Sequence, residues 1–141
     1  MKKLLVLFSI LLSTAAGAQL RFSCRFTMVD QTSGRTVSTG TGYVQDDCYR
    51  LETDGLKIYC NGKDRWIYAP ESDELVIEKN DVSFLKEIAV NRKSDGTAVV
   101  GYGNYTITLT DIRETETPWP GVFFIIDPDS FGDDTVITDL R

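Results

Sequence analysis

The sequence predicts a mainly β fold of the α+β class, organised as one curved antiparallel sheet. Apolar and polar side chains alternate with a period of two over residues 20–28, which is typical of a half-buried strand. Asp-Gly and Asn-Gly pairs separate the short runs that follow, and such pairs favour tight hairpins. The predicted strands, in sequential order, are residues 20–28, 36–45, 48–53, 56–60, 65–69, 75–78, 97–101, 105–112, 122–127 and 135–140.

The first two strands are predicted from their composition and from the turn between them. Gly34 marks this turn, and a run rich in Thr, Val and Tyr follows it until Asp46 and Asp47. The alternating apolar residues of the first strand are Leu20, Phe22, Cys24, Phe26 and Met28.

Glycine turns define the middle of the chain. Asp54-Gly55 and Asn61-Gly62 each lie between two alternating runs, and a polar segment at 70–73 separates the next pair. Because connections this short join antiparallel neighbours, we expect these strands to form a meander.

A single short helix is predicted at 81–88. Asn80 or Asp81 is placed to cap its N-terminus. The segment 117–121, Thr-Pro-Trp-Pro-Gly, excludes regular structure, and we expect the last two strands to close the chain as a hairpin. The apolar residues of the predicted helix are Val82, Phe84, Leu85 and Ile88.

The chain begins with the features of a secretory signal peptide. Two lysines precede an apolar run at 4–12 that is too short to span a bilayer, and small residues follow at 16–18. Residues 1–18 are therefore predicted as a signal peptide and residues 19–141 as one domain. Since the first cysteine is not adjacent to the small residues, we expect no lipid anchor and a periplasmic location.

Composition excludes several classes of function. The formal net charge is -6 and no histidine is present. An acidic chain repels phosphate backbones, so nucleic-acid binding is not expected. The lack of histidine removes triad hydrolases and the usual catalytic zinc sites. We predict no enzymatic activity, no metal and no cofactor.

Three cysteines in an oxidising compartment predict one disulfide and one remaining thiol. Cys48 and Cys60 are the candidate pair, but two registers are open. A two-residue turn sets Leu51 opposite Ile58 and sends the two cysteines to different faces of the sheet. A three-residue turn sets Cys48 opposite Cys60, where a bridge would form.

The apolar face of such a sheet needs a cover, because one short helix reaches only a few strands. Either the face encloses a ligand cavity, or the sheet closes and its own aromatic side chains fill it. The sequence leaves both alternatives open.

The most informative motif lies at residues 61–70 and reads Asn-Gly-Lys-Asp-Arg-Trp-Ile-Tyr-Ala-Pro. A Gly-Thr-Gly-Tyr-Val run at 40–44 precedes it, and Glu-Leu-Val-Ile-Glu at 74–78 follows. In order and spacing these segments resemble the outer-membrane lipoprotein carrier (LolA-like) family, whose motif is [Asp/Asn]-Gly-Lys-x-x-Trp-x-Tyr-x-Pro.

The resemblance implies an unclosed half-barrel with a short helix on its concave face and a hydrophobic cavity. Its ligands would be lipoprotein acyl chains or lipid, and its partners the lipoprotein-sorting proteins of the inner and outer membranes, without a stable membrane anchor. Trp66 and Tyr68 share one strand face, and we expect them to form an apolar wall with Leu51 and Ile58. The candidate cavity residues are Phe22, Phe26, Met28, Leu51, Ile58, Trp66, Tyr68, Leu75, Ile77, Phe84, Leu85, Leu109 and Phe124.

The sequence departs from the family pattern in its lid. The family begins with a helix, whereas strand character here starts at residue 20, and the segment between Glu78 and Thr97 is short. Asp46-Asp47 stands where well-studied carriers place a basic latch residue, so that latch is not carried over. We therefore expect a compact relative with a shallower groove.

Two other functions are weaker alternatives. The first is a cell-envelope interaction or structural module whose sheet core is self-filled. The second is a carboxylate-only hydrolase, which would need two acids facing each other in a cleft. The acidic segment 127–134 fails the calcium-loop pattern because Phe131 and Thr138 stand at ligand positions. Trp119 is either an exposed anchor for a partner or packs over the end of the sheet.

Overall fold

Nine strands make up one sheet in a computed structural model that describes residues 21–80, 93 and 95–141. Two short 3-10 helices, Gly121–Phe124 and Pro128–Ser130, lie between the last two strands. The strands are β1 (Arg21–Asp30), β2 (Thr36–Gln45), β3 (Cys48–Glu52), β4 (Lys57–Asn61), β5 (Asp64–Ala69), β6 (Glu74–Lys79), β7 (Ala98–Tyr102), β8 (Tyr105–Glu114) and β9 (Val136–Asp139).

The strands follow the order β7-β8-β1-β2-β3-β4-β5-β6-β9. Every neighbouring pair is antiparallel except β6 and β9, which are parallel. The sheet is not closed into a barrel, since β7 and β9 form its edges within the described part of the chain. A mainly β fold with an unclosed sheet is thus confirmed.

The predicted sequential order and the final hairpin are wrong. β8 returns to pair with β1, and β7 pairs with β8, so these two strands extend the sheet on the outer side of β1. The segment predicted as a strand at 122–127 begins instead in the 3-10 helix Gly121–Phe124, in which Phe123 donates a backbone hydrogen bond to Pro120. β9 pairs in parallel with β6, with Val136 opposite Glu74. The helix predicted at 81–88 lies outside the described residues.

The turn between β3 and β4 has the two-residue register. The Thr53 N–H donates to the Leu56 carbonyl at 2.9 Å, and Leu51 lies opposite Ile58. Cys48 is consequently opposite Asn61, and all three cysteines are free thiols, so no Cys48–Cys60 disulfide is formed. Apolar cross-strand pairing has decided the register.

Two apolar clusters occupy opposite faces of the sheet. We call the first side the Phe22 face and the second the Trp66 face. The buried residues of the Phe22 face are Phe22, Cys24, Phe26, Met28, Val44, Tyr49, Leu51, Ile58, Cys60, Ala98, Val100, Ile107 and Leu109. The Trp66 face carries Tyr59, Trp66, Leu75 and Ile77, against which Ile126 of the C-terminal segment packs.

Two glycines of β2 permit close approach of its neighbours. A Cβ on Gly40 would lie 1.9 Å from the carbonyl oxygen of Glu52, and a Cβ on Gly42 would lie 2.9 Å from the Cys24 Sγ. The Gly-Thr-Gly segment therefore brings β3 and the side chains of β1 against β2 on the Phe22 face.

We expect Gly40→Ala to lower the free energy of unfolding by about 3 kcal/mol, because the new methyl group overlaps a backbone atom that cannot move alone. Gly101→Ala is the matched control, since Gly101 also lies in a strand and a Cβ there meets nothing within 4 Å. That variant should change stability by less than about 1 kcal/mol. Urea unfolding midpoints measure both, and equal effects would contradict the close approach.

Candidate functional site

A cavity of about 650 Å³ opens at one end of the Phe22 face. It lies where β1 and β2 approach the turn between β3 and β4. The residues that line it are Phe26, Met28, Thr36, Val37, Ser38, Thr39, Leu51, Thr53, Asp54, Gly55, Leu56, Ile58 and Tyr105.

The floor of the cavity is apolar and buried. Phe26 and Met28 come from β1, Leu51 from β3 and Ile58 from β4, and each is at most 7% exposed. These side chains share a face because strand residues alternate in direction and the β3–β4 register pairs Leu51 with Ile58. Leu56 is partly buried and packs against the same cluster.

The rim of the cavity has a different chemistry. Thr36, Thr39 and Asp54 are exposed, and Ser38 is half-buried beside them. Asp54 is the one charged side chain among the described lining residues. The site therefore combines an apolar floor with an entrance that carries hydroxyl groups, one carboxylate and the exposed apolar side chain of Val37.

Four of the predicted cavity residues, Phe26, Met28, Leu51 and Ile58, line this cavity. Phe22 and Leu109 belong to the same buried cluster but lie away from the lining. Two of the predicted residues, Phe84 and Leu85, fall outside the described part of the chain.

The expectation that Trp66 and Tyr68 form one wall with Leu51 and Ile58 is wrong. The β4–β5 register sets Trp66 opposite Tyr59, so it is Ile67 that lies opposite Ile58 and shares its face. Trp66 and Tyr68 therefore point to the other side of the sheet.

Leu75 and Ile77 lie on the same face as Trp66, because Leu75 is opposite Tyr68 and Ile77 is opposite Trp66. The C-terminal segment covers this face, with the Phe131 ring 4.7 Å from that of Tyr68. Phe124 is fully buried against the rings of Trp119 and Phe123 and does not line the cavity.

A cluster built around Arg50 fastens the C-terminal segment to the Trp66 face. The Arg50 guanidinium lies over the rings of Tyr59 and Phe123, 4.5 and 4.3 Å from their centroids. It also donates to the Phe123 carbonyl at 3.2 Å and to the Glu52 carboxylate at 2.5 Å. The Tyr59 hydroxyl donates to the same carboxylate oxygen. The charges of Arg50 and Glu52 are thus paired with each other at a partly buried position.

Gln45 holds the segment at a second point. Its amide accepts from the Trp119 N–H at 2.8 Å and donates to the Trp119 carbonyl at 3.0 Å. The Trp119 ring stacks on Phe123 and meets the edge of Tyr43. Trp119 therefore packs over the sheet, which is the second of the two predicted alternatives.

The cysteines do not form a reactive centre. Burial raises the pKa of the Cys24 thiol to about 12 and that of Cys60 to about 11. Burial and the nearby Asp46 and Asp47 raise the pKa of Cys48 as well. Since the thiolate is the nucleophilic form, all three thiols are poorly reactive at neutral pH.

The acidic C-terminal segment makes a local turn. The Asp127 carboxylate accepts from the Asp129 N–H at 2.9 Å, capping the short helix Pro128–Ser130. Within the described ranges, no group of three or more Cys, Asp or Glu side chains is arranged to hold a metal ion. None of the helices found there has the length and apolarity needed to cross a bilayer.

Comparison with known proteins finds no matching family model and no matching curated protein.

Several lining residues were not predicted from the sequence. Leu56 follows directly on the Asp-Gly turn, so the confirmed hairpin signal could have placed it at the end of the sheet. Tyr105 had no such signal, because its position depends on β8 pairing with β1. Val37 lies at an irregularity in the β1–β2 register, between Thr36 and Ser38, which no sequence signal marks.

We expect the stability of the protein to depend on pH through Glu52. Burial alone would raise the pKa of this carboxyl, but hydrogen bonds from Tyr59 and Arg50 outweigh it and hold the pKa below its ordinary value of 4.5. The carboxylate therefore stabilises the fold above that pH, and the contribution is lost as pH falls through the lower, folded-state pKa.

Glu52→Gln should lower the free energy of unfolding by about 1 to 2 kcal/mol at neutral pH. The difference from wild type should shrink below about pH 4.5, as measured by urea unfolding across pH. Glu74→Gln, at an exposed position in β6, is the control and should have little effect. A Glu52→Gln difference that stays constant down to pH 2 would contradict the role of ionisation.

Proposed function

We propose that the protein binds lipid or lipoprotein acyl chains non-covalently in the cavity on the Phe22 face, as a periplasmic carrier or binding protein. The observation that carries the proposal is the cavity of about 650 Å³ with a buried floor of Phe26, Met28, Leu51 and Ile58. Such a volume falls within the range of about 300–1,000 Å³ found for small-molecule sites.

The floor suits an apolar chain that must later leave. Each methylene removed from water contributes about 0.8 kcal/mol, so a chain of a dozen gains about 10 kcal/mol. A bilayer offers a comparable gain, and an apolar cavity without buried ionic contacts therefore allows exchange with a membrane. No charged residue is found among the buried side chains of the described chain.

The finer part of the proposal is that the unclosed sheet is a LolA-like half-barrel. The sequence resemblance of the motif at 61–70 supports it. The Asn61 side chain accepts from the backbone N–H groups of Lys63 and Asp64, which shapes the turn into β5. Lipoprotein-sorting proteins of the two membranes would then be the partners. Trp66 of this motif contributes to folding here, on the face opposite the cavity.

A second candidate is a non-enzymatic envelope module with a self-filled core. It is favoured by one observation, namely that the C-terminal segment already packs Ile126 and Phe131 against the Trp66 face. The two candidates differ at the Phe22 face, where only the first requires a ligand.

The experiment is native mass spectrometry, with organic extraction, of the protein purified from periplasm without detergent. A co-purifying lipid or acylated peptide supports the carrier proposal and identifies the cargo. A clean apo mass, together with no uptake of an environment-sensitive fluorescent lipid, overturns it in favour of the self-filled module.

We expect Leu56→Asp to weaken binding of a fluorescent dodecyl-chain lipid by about tenfold or more, because the chain would have to desolvate a carboxylate at the cavity wall. Leu56 is only partly buried, so the variant should fold. Fluorescence titration measures the dissociation constant.

Val122→Asp is the matched control for this substitution. Val122 is 76% exposed and does not line the cavity, so the same charge is added outside the site. The proposal predicts unchanged lipid affinity for this variant. Equal weakening by both substitutions would show that net charge, not the cavity, governs binding.

A further inference from the structure

We propose that the cavity selects acyl ligands whose head group bears hydroxyls and no negative charge, such as a monoacylglycerol, over free fatty acids and anionic lipids. This inference rests on the proposed function, because it names the class of ligand for the same cavity. It depends on the difference in chemistry between the floor and the rim.

The cavity fixes the orientation of an amphiphile. Phe26, Met28, Leu51 and Ile58 form a floor that offers no hydrogen bonds from side chains, whereas Thr36, Thr39 and Asp54 at the entrance are exposed. A bound acyl chain therefore lies against the floor and places its head group at the rim, since a polar head on the floor would lose its hydration without compensation.

The rim has free hydrogen-bonding capacity. Within the described ranges, the hydroxyl groups of Ser38, Thr39 and Tyr105 and the carboxylate of Asp54 have no hydrogen-bond partner, although all four residues line the cavity. Hydroxyl groups donate and accept, and a carboxylate only accepts. A glycerol-like head can satisfy both kinds of group at once.

The charge at the rim is negative. Asp54 is the one charged residue among the described lining residues. Arg35 precedes the lining residue Thr36 and does not line the cavity. Lys57 lies between two lining residues, but it pairs with Glu52 on the other face of the sheet. A carboxylate or phosphate head at the rim would lie beside Asp54, and no cationic side chain lines the described cavity to offset the repulsion. The formal net charge of -6 adds to this repulsion at longer range.

Asp54 can be changed without disturbing the turn that carries it. The turn is held by the Thr53 N–H and hydroxyl, which bond to the Leu56 carbonyl, and the Asp54 side chain takes no part in these bonds. Neither Asp54 nor Gly55 has a positive φ, so the position accepts other residues.

The test compares three probes with the same chain: 1-dodecanoylglycerol, dodecanoate and dodecyltrimethylammonium, each competing with a fluorescent lipid at low ionic strength. We expect the glycerol ester to bind up to about fivefold more tightly than dodecanoate, since that is the upper range for one exposed ion interaction. Asp54→Lys should remove or reverse this ratio. Asp133→Lys makes the same change in net charge at an exposed site away from the cavity and should leave the ratio unchanged.

Each of the other outcomes contradicts a specific part of the proposal. Equal affinity for the ester and dodecanoate overturns the selectivity but leaves lipid binding intact. Tighter binding of dodecyltrimethylammonium than of the ester overturns the hydroxyl-bearing head group, because the carboxylate would then act alone. An equal shift in the ratio by both lysine variants overturns the local role of Asp54. Failure of all three probes to bind overturns the proposed function itself.

Discussion

The register of the β3–β4–β5 meander is the constraint on which the rest of the structure depends. The Thr53–Leu56 hydrogen bond closes a two-residue turn, and this pairs Leu51 with Ile58 on one face. On the other face, by the same alternation, Arg50 lies opposite Tyr59, and Tyr59 opposite Trp66. A shift of one residue would bring the charges of Arg50 and Glu52 to the cavity and remove the anchor of the C-terminal segment.

The apolar residues of the two faces are buried in different ways. On the Trp66 face the chain covers itself, and Arg50 and Gln45 fix that cover through backbone atoms of Phe123 and Trp119. On the Phe22 face, close approach at Gly40 and Gly42 brings strands and side chains together, yet a cavity of about 650 Å³ is left at one end. Buried side chains of β1, β3 and β4 form the floor of this space, and exposed residues of β2 and the β3–β4 turn form its rim.

Local structure could be predicted well from this sequence, and non-local pairing could not. The strands β1 to β8 were predicted from alternation in β1, from composition in β2 and from glycine turns and polar spacers in the middle of the chain. The Asp54-Gly55 turn left two registers open, and apolar pairing of Leu51 with Ile58 favoured the one that the structure has. The pairing of β8 with β1 and of β9 with β6 joins segments more than sixty residues apart, for which a single sequence carries no turn signal. Trp66 was placed on the wrong face because its relation to Ile58 depends on the exact register across the Asn61-Gly62 turn.

The β3–β4 hairpin contributes side chains to both faces of the sheet. The residues that line the cavity can therefore be changed separately from those that hold the C-terminal segment. On the Phe22 face, its residues Leu51 and Ile58 line the cavity. On the Trp66 face, its residues Arg50 and Tyr59 hold the C-terminal segment. A substitution on the Trp66 face can reach the cavity only through the backbone. Under the proposed function it should therefore change stability more than ligand affinity. A change to a rim residue does the reverse, because the rim side chains contribute little to the core. Under the proposed function, the rim side chains would affect ligand affinity, Arg50 and Tyr59 would affect stability, and the buried floor residues Leu51 and Ile58 would affect both.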